Sequence, residues 1–511
     1  MPKKEKPQSK SFRKKLKLLT RGFLESRKNA NNLIDVLGCI KEESAEFQPW
    51  ALAVESIFSD VLQKREMMYT LEKRKDSSSD KDYPSWLREC YEDAIKILTS
   101  ALETGEFLDQ AQALTSLMKF VTLEGKLPLK QDVKETYFPA KRLKGIILKM
   151  LSSDLDMKPL ILRLSEWSMC PDVRYHVWMI LVPFVKQLKE PSDILQCNIF
   201  SLMDVILPAK MVNERKKESD VPLPLCHVEG RAQFEFDEKL EGRWLDGIWK
   251  AVGKWKRNEL TTHHQMLMLL LTKVLHKLSN PLPLTDLLFD SFEQGGSTSL
   301  LALQGIFILI QKHNLEYPNI YAKLYSLFEP QIFSTKYKQR LFYLADIFLS
   351  SSHLPESMVA SFVKRLSRLA LVAPPHDISL ILAFMGNLIL RHPGLKKMVD
   401  NPGGGTVDSD PFLPEENDPM NTKALESSLW EVKSLQRHIL PSVATAARFI
   451  DNNLPSVEWD LEPLLEGSLE KLFEAECKKK YKEVALTFER PRLPCQPHRK
   501  DDVLSKFWRL T

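Results

Sequence analysis

Glycine is scarce in this chain, at 18 among 511 residues. Folds with many tight turns need residues that reach positive φ without cost, so the scarcity disfavours them. It favours helices, whose interiors lose about 1 kcal/mol for each glycine in place of alanine. Cysteine is sparse too. Cys39, Cys90, Cys170, Cys197, Cys226, Cys477 and Cys495 are odd in number, widely spaced and without a C-x-x-C. This predicts reduced thiols in an intracellular protein, with neither a disulfide framework nor a zinc site. Long apolar runs are also missing. The longest, Ile378 to Leu390, is interrupted by Ser379 and Asn387 and falls short of the roughly 20 residues that span a bilayer. It predicts a buried helix and no membrane association. Charged opening residues with no apolar stretch behind them predict no secretory leader.

Catalytic signatures are lacking as well. Neither glycine cluster, Gly295-Gly296 or Gly403-Gly404-Gly405, leads into the Lys-Ser/Thr of a phosphate-binding loop. No G-x-G-x-x-G and no G-x-S-x-G occurs. His263 and His264 are adjacent, so on a helix they point to different sides, and with His276 they form no H-E-x-x-H. Asp346 lies upstream of Ser350-Ser351-Ser352-His353. That order alone does not make a triad, which is defined by geometry. Ser352 or His353 is read instead as a cap for the following helix. The chain is therefore read as non-enzymatic, with no catalytic, cofactor-binding or metal residue assigned.

What the sequence has in abundance is helical periodicity. In Pro355 to Val372, Val359, Phe362, Val363, Leu366, Leu369 and Ala370 form one stripe. Ser361, Lys364, Arg365 and Arg368 fall on the other side. Pro355 suits a helix start and Pro374-Pro375 a stop. Similar patterns predict helices over most of the chain, among them 50–72, 299–312, 379–390, 422–438 and 461–478. No alternation is long enough for a buried sheet. The expected fold is all-α: an irregular HEAT-like α-solenoid of stacked antiparallel helix pairs with flexible termini and one acidic loop. Five segments are expected: a basic flexible arm (1–21), an N-terminal helical region (22–209), a soft break near 210–231, a C-terminal helical region (232–478) and a flexible basic tail (479–511). Two internal stretches read as flexible. One is the charged, Ser-rich 73–83. The other is 401–420, which carries Asp408, Asp410, Glu415, Glu416 and Asp418 with no base.

Charge is unevenly placed. The whole chain has a net charge of +5, yet residues 1–21 hold nine Lys/Arg against Glu5 alone. The remainder is close to neutral. Lys3, Lys4, Lys6, Arg13, Lys14, Lys15 and Lys17 are candidates for nuclear targeting. Loose RNA contact and simple solubilisation stay open for the same arm. In 243–257, Trp244, Trp249 and Trp255 interleave with Arg243, Lys250, Lys254, Lys256 and Arg257. Such interleaving can build a stacking platform for single-stranded RNA. Spacings of five and six do not share a helix face, which favours core packing with solvated lysines. An RNA-binding module using the arm and this segment is the alternative function.

One region is specific. It contains Leu300-Leu301-Ala302-Leu303-Gln304-Gly305-Ile306-Phe307, Phe342-Tyr343-Leu344-Ala345-Asp346 and His353-Leu354-Pro355. Lys364-Arg365-Leu366-Ser367-Arg368-Leu369, Arg391-His392-Pro393, Asp410-Pro411-Phe412 and Ala424-Leu425-Glu426-Ser427-Ser428-Leu429-Trp430-Glu431 follow in order. The stretch from about 295 to 440 resembles the CCAAT-binding-factor (CBF/Mak) domain family. The resemblance implies a nucleolar, non-enzymatic assembly factor for the small ribosomal subunit, needing no cofactor. It further implies action through a protein partner, the nucleolar protein 14 homolog, alongside other proteins of the small-subunit processome; any pre-ribosomal RNA contact is expected to be indirect or weak. Lys364, Arg365, Arg368, Glu426 and Trp430 are the partner-surface candidates, and Ala424 to His438 is expected to be one helix.

Overall fold

The structure is a computed structural model. It describes residues 7–41, 46–68, 79–129, 137–152, 154–207, 223–228, 234, 237–313, 319–351, 353–400, 407–452 and 454–478. Among these residues there is helix and loop but no strand. The fold is all-α and of the solenoid type. The chain divides into two compact units, Met1–Tyr317 and Pro318–Thr511.

The first unit contains α1 (Pro7–Glu25), α2 (Asn32–Gly38), α3 (Phe47–Gln63), α4 (Ser79–Thr104), α5 (Phe107–Lys126), α6 (Ala140–Met150) and α7 (Lys158–Arg163). It continues with α8 (Ser165–Ser168), α9 (Pro171–Gln187), α10 (Asp193–Ile206), α11 (Glu238–Val252), α12 (Leu260–Leu269), α13 (Thr285–Glu293) and α14 (Gly296–His313). Local sequence sets several of the starts. Ser192 caps α10 by accepting from the Leu195 N–H, Asp237 caps α11, and Pro171 occupies the first turn of α9.

Packing then follows two tracks. In one, α3 packs on α5, α5 on α7, α7 on α10, α10 on α12 and α12 on α14. In the other, α4 packs on α6, α6 on α9 and α9 on α11. The tracks also meet, as where α4 packs on α5, so each helix buries its apolar stripe along and across the stack. Phe58, Tyr91 and Phe120 knit α3, α4 and α5 together, with ring centroids 5.0 to 6.4 Å apart. Glu124 inside this core is paired. The Tyr91 hydroxyl donates to Glu124 at 2.7 Å, and the Arg142 Nε of α6 donates to the same carboxylate at 3.1 Å. Burial nevertheless pushes the Glu124 carboxyl up.

The second unit contains α15 (Ile320–Ser326), α16 (Lys338–Phe348), α17 (Glu356–Ala370), α18 (Pro375–Arg391) and α19 (Lys396–Val399). It ends with α20 (Trp430–Leu435), α21 (Pro441–Ala446), α22 (Glu462–Leu465) and α23 (Leu469–Lys478). Its centre is the α17–α18 hairpin. Phe362 of α17 meets Tyr325 and Phe328 edge-on, and Phe342 links Phe328 to Phe384 of α18. The run from Ile378 to Ile389 is the interior helix α18, buried at all but one position. Among the described residues no single helix is long and apolar enough to cross a membrane, though α18 and the bent segment Pro393–Val399 pass that test together. Asn387 exchanges two hydrogen bonds with the Trp459 backbone, at 2.9 and 2.8 Å. Beside it, Gly386 admits the Trp459 indole: a Cβ there would lie 2.5 Å from the ring.

Several expectations are corrected. Residues 7–21 are not a loose arm. They form most of α1, which buries Phe12, Leu16 and Phe23 against α2 and α3. The chain does not divide near 210–231, because α9–α11 and α10–α12 packing carries the first unit across that stretch. The division falls after Tyr317, so α14 belongs with α12 and α13. Of the stretch 73–83, residues 79–83 open α4 and the rest lies outside the described residues. Residues 407–420 are not a structureless loop, because Phe412 and Asp410 are held in the core of the second unit. Residues 401–406 and the tail 479–511 lie outside the described residues. The expected single helix over 422–438 is instead a 3-10 turn, Ala424–Glu426, an extended Ser427, and α20.

Candidate functional site: a buried charge cluster beneath a tryptophan

Five charged and polar side chains from three segments converge in the second unit. The α17 stripe turns Lys364 inward and Arg368 to its edge. Lys364 is fully buried, with 0% of its side chain exposed. Its ammonium lies 2.7 Å from Glu431 of α20 and 3.1 Å from Asp410, and it donates to the Ser428 carbonyl at 2.7 Å. The Arg368 guanidinium lies 2.9 Å from Asp410 and 3.3 Å from Glu431. Asp410 also accepts from the Trp430 indole N–H at 3.0 Å, the Ser427 hydroxyl and the Phe412 backbone N–H. The ammonium of Lys364 and the guanidinium of Arg368 stand 5.4 and 5.8 Å from the Trp430 ring centroid.

The electrostatics follow from this wiring. Burial alone would raise the Asp410 carboxyl, but hydrogen bonds from Ser427, Trp430 and Lys364 hold it well below the usual carboxylate range. Glu431 is different: burial dominates and pushes its carboxyl up despite Lys364. Asp410 also explains why 422–438 is not one helix. By taking the Ser427 hydroxyl it fixes that residue extended, and the Leu429 N–H donates to Met398 at 2.9 Å instead of to a helical carbonyl.

Among the surface candidates, Lys364 is a correction, because a fully buried ammonium offers nothing to a partner. Arg365 is half-buried and occupied: its Nε donates to the Phe328 carbonyl at 2.8 Å and its guanidinium covers the Tyr325 ring at 4.4 Å. Arg368 keeps 36% of its side chain exposed. Trp430 is half-buried and Glu426 exposed. The cluster thus fixes Arg368 and Trp430 in one geometry, and Glu426 stands exposed on the 3-10 turn just before Ser427. Sequence reasoning missed Asp410, Ser427 and Glu431 as members. Both acids lay inside motifs carrying the resemblance, but nothing in a linear pattern pairs them with Lys364.

Other candidates resolve into packing. Trp249 and Trp255 are buried against Phe200, and Trp244 meets Tyr175 edge-on. The three tryptophans therefore do not form a platform for stacking bases. His263 is buried, its Nε2 2.9 Å from the Ser291 hydroxyl, and burial lowers it to about 4. His264 is exposed, and His276 meets Lys312. Asp346 accepts from Arg391, Ser350 donates to the Ile347 carbonyl, and His353 is exposed. The residue at the N-cap of α17 is Pro355, not Ser352 or His353. Lys3, Lys4 and Lys6 lie outside the described residues, whereas Arg13, Lys14, Lys15 and Lys17 are exposed on α1. Arg13 pairs with Glu46 at 2.9 Å.

Fold and site together define a scaffold-type helical-repeat protein bearing a CBF/Mak21 domain. The CBF/Mak21 family matches residues 299–447, and the family described as nucleolar complex protein 4-like, TPR repeats, matches residues 5–190. The chain is 36% identical to nucleolar complex protein 4 homolog B of Xenopus laevis, covering 94% of each chain. It is 35% identical to the Homo sapiens nucleolar complex protein 4 homolog, over 89% of this chain and 90% of that one. Nucleolar complex protein 4 of Saccharomyces cerevisiae is 30% identical over 82% of each. The chain belongs to the nucleolar complex protein 4 family. It is accordingly a nucleolar protein with a role in ribosome biogenesis, working among other ribosome biogenesis factors.

Proposed function

We propose that the protein is a non-enzymatic scaffold for small-subunit biogenesis, supporting pre-ribosomal RNA processing and small-subunit maturation and export. It would act within the small-subunit processome by holding a protein partner, the nucleolar protein 14 homolog. The observation that carries this reading is the family match across both units. The rim of Arg368, Trp430 and Glu426 above the Lys364 cluster is its proposed contact. A half-exposed tryptophan beside an arginine is a common interface hot spot, and the fixed cluster beneath reduces the entropy lost on docking.

Affinity purification of the full chain tests the reading. The intact protein should recover the nucleolar protein 14 homolog together with small-subunit precursors. Trp430→Ala combined with Glu426→Lys should reduce that recovery at least tenfold while the chain stays folded. Recovery of large-subunit precursors alone would contradict the assignment. The exposed basic residues of α1, with Lys3, Lys4 and Lys6, are proposed as the nuclear-targeting element.

A further inference from the structure

Four lysines from two helices meet on the first unit. Lys186 sits in the last turn of α9 and Lys189 just beyond it, while Lys250 sits in the last turn of α11 and Lys254 in the turn that follows. All four line one concavity of about 490 Å³, and all four are exposed. The floor is made of small residues. Gly247, Lys250 and Ala251 share one face of α11 by their three- and four-residue spacing, and Lys254 follows in the turn beyond its end. A Cβ on Gly247 would lie 3.2 Å from the Lys186 ammonium, so the missing side chain lets Lys186 lie across α11 into the notch.

These lysines differ from their neighbours. Lys273 pairs with Asp204 at 2.7 Å and Lys277 with Glu241 at 2.8 Å. None of the four notch lysines pairs with a carboxylate among the described residues. The carboxyl end of α9, with about half a negative charge from the helix dipole, offsets only part of their mutual repulsion. A polyanion would relieve the rest.

We propose that this notch binds the phosphodiester backbone of RNA without reading base sequence. Trp255 borders it but is only 3% exposed, so no ring is free to stack a base. With Trp255 buried, Leu188 is the single large apolar side chain reachable in the lining, too little to anchor the apolar face of an acidic amphipathic helix. Phosphate contact, driven by release of condensed counterions, is what the chemistry supports. The site does not depend on the rim in the second unit.

Fluorescence anisotropy of a short labelled single-stranded RNA with the full chain, at about 50 to 200 mM salt, tests the proposal. Replacing Lys186, Lys189, Lys250 and Lys254 together by glutamine should weaken binding. It should also flatten the log K against log salt slope by about 3, at roughly 0.7 per lost phosphate contact. Each pair, Lys186→Gln with Lys189→Gln or Lys250→Gln with Lys254→Gln, should give about half that change and covers the case in which the fourfold variant misfolds. Unrelated RNA sequences should lose affinity equally, and Lys396→Gln with Lys397→Gln in the second unit should change nothing. No saturable binding by the intact chain, an unchanged slope in the notch variants, or tighter binding of polyglutamate than of RNA would each overturn it.

Discussion

At the scale of single residues, Lys364 is the side chain on which the second unit most depends. Its charge has left water entirely, and two carboxylates and a carbonyl stand in for the lost hydration. Removing one partner from such a group leaves the others buried and uncompensated, which costs about 3–5 kcal/mol. Lys364→Met should therefore destabilise the second unit by about that amount, read as a lower denaturation midpoint of its α17 and α18 signals. The pH response has two opposite parts. The depressed Asp410 contributes stability above the ordinary aspartate range, and this is lost as pH falls below about 3.8. Glu431, raised by burial, acts in reverse, its contribution shrinking as pH climbs past about 4.5. The sequence offered Lys364 as surface because an apolar stripe marks the core by hydrophobicity alone. A lysine whose partners arrive from residues 410 and 431 leaves no such mark.

At the scale of elements, α1 separates two properties that a basic segment confounds. Its Lys14, Lys15 and Lys17 face solvent, while Phe12 and Leu16 are 3% and 2% exposed. Deleting residues 1–21 would thus remove core as well as charge. Phe12→Ala should cost about 3–5 kcal/mol locally and speed amide exchange in α1 and α2. Lys14→Gln with Lys17→Gln should leave exchange unchanged and slow nuclear entry. The helical nature of most segments was legible, because apolar residues recurring at three and four are unambiguous over several turns. Strong local positive charge masked the shorter stripe of Phe12, Leu16 and Phe23. In 407–420, acidic composition masked Asp410 and Phe412, whose order comes from distant partners and not from neighbours in sequence.

At the scale of the whole molecule, the first unit is a stack in which each helix meets near neighbours along the chain, within its track and across to the other. Perturbation in such a stack should stay near its origin. Phe200→Ala, which removes the ring packed on Trp249 and Trp255, should cost about 3–5 kcal/mol. Hydrogen exchange should report the loss of protection in α7, α10, α11 and α12 well before α3 and α4. Architecture of this kind was readable from the many amphipathic helices and the scarcity of glycine. Where the chain divides was not. The break after Tyr317 falls inside the CBF/Mak21 match, and the stretch 210–231, which looks like a boundary by composition, has α9 and α10 before it packed on α11 and α12 after it.

The bare α-carbon at position 386 carries a consequence at a distance. Because the Trp459 ring occupies the room a methyl group would need, even alanine would push the indole out and strain the paired contacts of Asn387. The strap around Trp459 would then lift from the hairpin, loosening α22 and α23 behind it. One added carbon deep in an interior helix would be felt as a slack carboxyl-terminal end.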